Sequence, residues 1–147
     1  MSVYPNAPVK SWEIQEFTYL EPSRWKGTSG DIRLPRIRSY WKEANPYFCD
    51  GPGAESFDAL LDRATDTIRR LQAMPDKALV YLFSHGQFMR AVSLIVSPPS
   101  PDANRMDHFW KQCTDYPIGN CYCLVVKFEE LNASLEWKCR QDKNARS

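Results

Sequence analysis

Apolar residues recur at steps of three and four between residues 56 and 74, at Phe57, Leu60, Leu61, Ala64, Ile68 and Leu71. This spacing places them on one face of an α-helix, as in a helix that packs against a core. Ser56 is a residue type that caps helix N-termini, and Pro75 cannot continue a helix. The pattern therefore predicts an amphipathic helix from about Ser56 to Met74.

The continuous apolar run Leu79–Phe83 predicts one strand, and Tyr122–Phe128 predicts a second. A run without polar alternation is typical of a strand that is buried on both faces. Residues Ser134 to Lys138 alternate instead, after a turn near Asn132, and they predict an antiparallel edge strand.

Two shorter helices are predicted between these strands, at Phe88–Val96 and Asp102–Gln112. Helices that alternate with buried strands are typical of an α/β layered domain. A chain of 147 residues is long enough to build one core, so we expect a single domain over residues 1–147.

The first third of the chain is less regular. Residues Trp12 to Tyr19 could form a short strand, whereas residues 21–54 contain many Pro and Gly residues and predict a long excursion with one or two helical turns near Arg36 to Lys42. An excursion of this length is usually a lid or a binding loop. Its many aromatic residues could line a ligand pocket, but packing of a lid against the sheet is the favoured interpretation.

Composition narrows the function classes. The net charge of +1 gives no support for binding to nucleic acid or to a membrane, and no apolar run approaches the roughly 20 residues that span a bilayer. The N-terminus does not resemble a signal peptide, so the expected location is cytoplasmic. The five cysteines follow no zinc or redox spacing and there are only two histidines, so reduced structural thiols and no metal or other cofactor are expected.

The most informative segment is Ser84-His85-Gly86, which follows the first predicted strand and precedes a predicted helix. Ligands of open α/β sheets bind at the carboxyl ends of the strands, and the N–H groups and dipole of a helix N-terminus favour an anion. Gly86 allows close approach of the backbone, and His85 can donate a hydrogen bond to phosphate. The alternative interpretation is a core histidine that caps a turn.

The segment belongs to an ordered series of motifs, namely Glu55-Ser56-Phe57, Arg63, Ser84-His85-Gly86, Arg90 and Ile118-Gly119-Asn120-Cys121. Over about Trp12 to Phe128 this series resembles the histidine phosphatase superfamily, the phosphoglycerate mutase-like proteins. The resemblance implies a three-layer α/β/α domain and a relation to phosphomonoester hydrolysis or phosphoryl transfer. The implied ligand is a phosphorylated small molecule or phosphate itself.

The resemblance also implies roles for individual residues. His85 would be the second active-site histidine, which binds the transferred phosphoryl group, with Ser84 and Gly86 beside it. Glu16 would be the general acid that protonates the leaving oxygen, and Glu13 is the competing candidate. The basic residues of the excursion, Arg33, Arg36 and Arg38, either bind an anionic substrate or form a solvated basic loop.

One part of the family pattern is missing. The family carries Arg-His-Gly at the end of its first strand, and that histidine becomes phosphorylated, but this sequence contains no Arg-His pair. The other histidine, His108, is interpreted as a surface or packing residue. Relative to the family the chain is therefore expected to be N-terminally truncated and inactive alone. The alternative function is a non-catalytic module that binds a phosphorylated ligand or a protein partner.

The missing strand also has a structural consequence. In the family it lies beside the strand that ends at His85, so its absence would expose an apolar edge along Val80 to Phe83. Exposed edges recruit other strands. We therefore expect rearrangement, domain exchange or a homodimer that pairs through this edge.

Overall fold

The computed structural model describes residues 6–129 and 132–139. Within these ranges the chain forms five helices and one two-stranded sheet, in the order α1 (Pro22–Trp25), α2 (Gly30–Glu43), α3 (Phe57–Gln72), α4 (Gly86–Val96), α5 (Arg105–Asp115), β1 (Tyr122–Glu129) and β2 (Asn132–Cys139). Helices together with a small sheet confirm the expected α/β class. None of the described helices is long and apolar enough to cross a membrane.

The three helices predicted from residue 56 onwards are confirmed as α3, α4 and α5. Helix α3 begins after Ser56, whose hydroxyl accepts a hydrogen bond from the Ala59 N–H at 3.2 Å. Helix α5 begins three residues later than predicted because the side chain of Asn104 accepts hydrogen bonds from the N–H groups of Met106 and Asp107. Such caps satisfy N–H groups that have no partner inside the helix, so they fix where a helix begins.

The predicted hairpin at the end of the chain is also confirmed. Strands β1 and β2 pair in antiparallel register, with Leu124 opposite Trp137 and Val126 opposite Leu135. The half-buried side chains of Leu124 and Val126 pack against the core, and β2 contacts α4. The sheet therefore covers one side of the helix that follows His85.

The core is built largely from aromatic rings. Trp41 of α2 stacks on Trp110 of α5 at 4.6 Å between ring centroids, and it also stacks on Phe109 at 5.8 Å. Phe17 and Phe57 meet this group edge to face. Several aromatic residues of the first third therefore pack in or against the core, where they contact aromatic residues of helices, whereas Tyr47 is exposed.

Helix α2 is longer than the sequence indicates. The expectation of one or two turns near Arg36 to Lys42 is wrong, because the helix runs over the 14 residues Gly30–Glu43 and contains Pro35. Burial of Tyr40 and Trp41 on its inner face outweighs the poor helix propensity of Gly30 and Pro35. Tertiary packing therefore outweighs the tendency of Gly30 and Pro35 to interrupt a helix.

The strand predicted at Leu79–Phe83 is wrong, as is the short strand at Trp12 to Tyr19, since the structure assigns no strand to either segment. Leu79 is 77% exposed and Phe83 is 90% exposed, which also excludes burial on both faces. A strand requires a neighbour that completes its hydrogen bonds, and in the described residues β1 pairs with β2 only. Apolar content alone therefore misled the prediction.

Candidate phosphate-binding site

The N-terminus of α4 opens into a pocket of about 480 Å³, which we call the His85 pocket. Its wall combines the Ser84-His85-Gly86 segment, the first turn of α4, the end of α5 and the loop before β1. The lining residues are Glu16, Ser84, His85, Gly86, Gln87, Met89, Arg90, Cys113, Pro117, Ile118, Gly119, Asn120, Cys121 and Tyr122. The structure therefore brings together four of the residues that the sequence nominated, namely Glu16, Ser84, His85 and Gly86.

His85 occupies the N-cap position of α4, and its side chain makes no capping hydrogen bond. The imidazole is exposed, so the alternative interpretation of a buried turn-capping histidine is wrong. At Gly86 a side-chain Cβ would lie 3.6 Å from the Cβ of Ile118, across the pocket wall. This is an ordinary van der Waals distance, so Gly86 lies close to the opposite wall without a clash.

Glu16 lies where an anion would bind to the helix. One oxygen of its carboxylate accepts hydrogen bonds from the Gln87 N–H at 3.0 Å and from its own neighbour, the Phe17 N–H, at 3.1 Å. A carboxylate at a helix N-terminus is stabilised by the unpaired N–H groups and by the helix dipole. Glu13, the competing candidate, is exposed and does not line the pocket.

Ser84 holds the segment that carries Glu16. Its hydroxyl donates to the backbone carbonyl of Ile14, which lies 70 residues earlier in the chain. The hydroxyl proton of Ser84 therefore already forms a hydrogen bond within the protein, to the Ile14 carbonyl. Ser84 positions Glu16 against α4, and only its lone pairs remain for a ligand.

Arg63 reinforces the same arrangement. Its guanidinium pairs with both carboxylate oxygens of Glu55 at 2.5 and 2.8 Å and donates to the carbonyls of Glu13 and Gln15. It also lies over the ring of Phe88 in α4 at 4.8 Å. One side chain of α3 thus fixes both the segment that bears Glu16 and the helix whose N-terminus Glu16 contacts.

The three arginines nominated from the excursion do not line this pocket. Arg36 donates twice to one oxygen of Asp50, at 2.7 and 2.9 Å, and lies over Phe48. Arg38 is exposed, and the Nε atom of Arg33 is buried without a partner in the described part of the chain. The excursion is therefore a packed helical segment and not a basic wall of the pocket.

Asp50 is the carboxylate that pairs with Arg36. Its buried carboxylate also accepts hydrogen bonds from the Glu21 N–H at 2.9 Å and from the indole N–H of Trp25 at 3.4 Å. Burial alone would raise the pKa of Asp50, but the hydrogen bonds from Glu21, Arg36 and Trp25 outweigh burial and lower it. The carboxylate anchors α1 and α2 to the loop before α3.

The cation that does line the pocket is Arg90, which the sequence placed in the motif series but not in the site. Its Nη2 donates to the carbonyl of Tyr116, and its guanidinium lies 4.7 Å from the ring centre of Trp137. Burial lowers the pKa of Arg90, and no carboxylate of the described residues pairs with it. Its position four residues after Gly86 is the signal that could have identified it, because residues i and i+4 share one helix face.

Two thiols line the pocket, those of Cys113 and Cys121, and the environment of Cys113 disfavours its thiolate. Burial raises the pKa of Cys113 to about 12, against a smaller opposing effect of Arg90. The thiolate is the reactive form of cysteine, and it is essentially absent near neutral pH at such a pKa.

An α/β domain with a pocket at the helix N-terminus that follows Ser84-His85-Gly86 is the class of protein that this fold and site define. The sequence matches the family model of the histidine phosphatase superfamily (branch 1) over residues 13–133, most of its length. The chain belongs to the histidine phosphatase superfamily. Comparison with curated proteins gives no match, and comparison with solved structures gives none.

Proposed function

We propose that the His85 pocket binds the phosphate group of a phosphorylated small molecule, and that this chain alone does not hydrolyse the ester. The observation that carries the proposal is the open N-terminus of α4, where His85, the Gln87 N–H and Arg90 line one pocket. Backbone N–H groups and a helix dipole favour phosphate, and the imidazole and guanidinium add charge-assisted hydrogen bonds.

Glu16 gives the pocket two states. Without a ligand its carboxylate accepts the Gln87 N–H, and a bound phosphate would take over that hydrogen bond. In a complete active site the displaced carboxyl group would lie next to the ester oxygen, in the position of a general acid. This arrangement favours Glu16 over Glu13 for the role that the family resemblance implies.

The absence of turnover is proposed because the family's nucleophile is a histidine, and His85 is the only histidine of the described residues that lines this pocket. The second histidine, His108, lines a different cavity. Covalent phosphoryl transfer requires a nucleophile in line with the ester bond. His85 supplies a phosphate contact, and no second histidine of the described residues faces it.

Glu16→Gln is expected to tighten the binding of phosphate esters about fivefold, which corresponds to about 1 kcal/mol. The amide oxygen still accepts the Gln87 N–H, so the local structure is kept, whereas the negative charge that competes with phosphate is removed. Calorimetric titration with phenyl phosphate measures the change. Equal or weaker binding by the variant would contradict the place given to Glu16.

His85→Ala tests the proposal itself. Loss of a hydrogen bond to a charged phosphate costs about 1.5–3 kcal/mol, so the affinity for phenyl phosphate should fall about 10- to 100-fold. The matched control is His108→Ala, which removes the other imidazole and should leave this affinity unchanged. Release of inorganic phosphate from phenyl phosphate should stay at the uncatalysed rate. Hydrolysis that disappears in His85→Ala would show that the chain is an active phosphatase.

A second candidate function is self-association through the exposed apolar residues Leu79 and Phe83, in keeping with the homodimer expected from the sequence. Large exposed apolar residues beside one another mark interaction surfaces. The expected result is a dimer in sedimentation velocity that Phe83→Lys converts to a monomer. A monomeric wild-type chain at all concentrations would exclude this function and leave the His85 pocket unaffected.

A further inference from the structure

A second cavity, of about 190 Å³, lies on the far side of Arg90 between α4, α5 and β2, and we call it the α4–α5 cavity. Its lining residues are Arg90, Ser93, Leu94, Ser97, His108, Phe109, Gln112 and Leu135. Leu94, Phe109 and Leu135 form its apolar base. The other five side chains are polar.

Every polar side chain of this lining can donate a hydrogen bond, and none is a carboxylate. Arg90 and Ser93 stand three apart on one face of α4, and Ser97 is the C-cap of that helix. His108 and Gln112 stand four apart on α5 and face them. Apart from Arg90, these polar side chains make no hydrogen bond to other residues in the ranges 6–129 and 132–139. The cavity thus offers donors and no negative charge.

Arg90 lacks charge compensation. Its Nε is buried without a partner, its Nη2 donates to a neutral carbonyl, and no described carboxylate lies within ion-pair distance. A partly buried charge is costly unless it is paired. An anion in contact with the guanidinium would remove that cost and complete its hydrogen bonds.

We propose that the α4–α5 cavity binds a small inorganic oxyanion, with phosphate as the natural occupant. One ordered water needs about 10–15 Å³ of cavity space, so this cavity, which is partly open to solvent, has ample room for a tetrahedral oxyanion. The two sites share Arg90, while Ser93, Ser97, His108 and Gln112 belong to the α4–α5 cavity alone.

The two histidines of the chain make the sites separately observable, because His85 lines one and His108 lines the other. The experiment is a titration of the full chain with inorganic phosphate at constant pH, in which the imidazole NMR signals of both residues are followed. His108 is expected to shift along a saturable curve in the wild type and equally in His85→Ala. Arg90→Met is expected to weaken the shifts of both histidines at least tenfold in apparent affinity.

Two nearly isosteric substitutions place one carboxylate in one site at a time. Gln112→Glu should abolish the saturable shift of His108 and Gln87→Glu should abolish that of His85, while the response of the other histidine weakens no more than it does in Arg90→Met. A His108 signal that does not respond to phosphate, in a chain whose His85 signal does, overturns the second site and leaves the proposed function intact. A His108 shift that persists unchanged in Gln112→Glu also overturns it. Loss of the His85 response alone would count against the proposed function and not against this cavity.

Discussion

Arg63→Met is expected to lower the free energy of unfolding by about 3 kcal/mol, the range measured when one partner of a buried ion pair is removed. The methionine keeps the aliphatic part of the side chain, but it removes the guanidinium that lies over Phe88 and leaves the Glu55 carboxylate unpaired. It also leaves the carbonyls of Glu13 and Gln15 without the donor that they share. Chemical denaturation followed by fluorescence measures the change.

The same helix provides a matched control for this prediction. Arg70 also pairs with a carboxylate, that of Asp66 at 2.7 Å, and also lies over an aromatic ring, that of Trp12. Both members of this pair are about half exposed, whereas Arg63 is only 11% exposed. Arg70→Met should therefore cost less than about 1 kcal/mol. Similar losses for the two variants would contradict the anchoring role given to Arg63.

Asp50→Asn is expected to cost about 3 kcal/mol at neutral pH, because Arg36 loses a buried partner and the asparagine cannot accept all of the hydrogen bonds that the carboxylate accepts. Glu43→Gln is the control, since Glu43 contacts the same arginine at 4.0 Å and is exposed. It should change the free energy of unfolding by less than about 0.5 kcal/mol.

The contribution of Asp50 to the free energy of unfolding depends on pH. The folded chain lowers the pKa of Asp50, so the folded state favours the ionised carboxylate more than the unfolded state does. The stabilisation is therefore complete above the unfolded pKa of about 3.9 and is lost as the pH falls through the lower, folded pKa. The difference between wild type and Asp50→Asn should shrink below about pH 4. A difference that is constant with pH would show that Asp50 acts through its shape and not through its charge.

Local signals predicted the parts of the fold that depend on local chemistry. The apolar stripe of α3, its Ser56 cap and the alternation in β2 each specify a helix or a strand without reference to distant residues. The position of Ser84-His85-Gly86 at the start of a helix was predictable for the same reason, since His85 is the N-cap of α4. The motif residues Glu55 and Arg63 entered the prediction separately, and the structure joins them as one ion pair.

Features that depend on distant partners were not predictable. Leu79–Phe83 has the composition of a buried strand, but burial depends on a neighbour that its own sequence does not specify. The sequence nominated Arg36 for an anion and did not nominate Arg90, and only the fold shows that Asp50 pairs with Arg36 and that no described carboxylate pairs with Arg90. The same holds for His108, which the sequence assigned to the surface or to packing and which lines the α4–α5 cavity.

The central claim is that the phosphate site lies at the N-terminus of α4. The measurement that tests it most directly is anomalous diffraction from crystals of the full chain soaked in tungstate, a heavy analogue of phosphate. The predicted result is an anomalous peak within hydrogen-bond distance of the His85 imidazole and the Gln87 N–H, with the Glu16 carboxylate displaced. A peak beside Arg33 or Arg38 with none beside His85 would contradict the account.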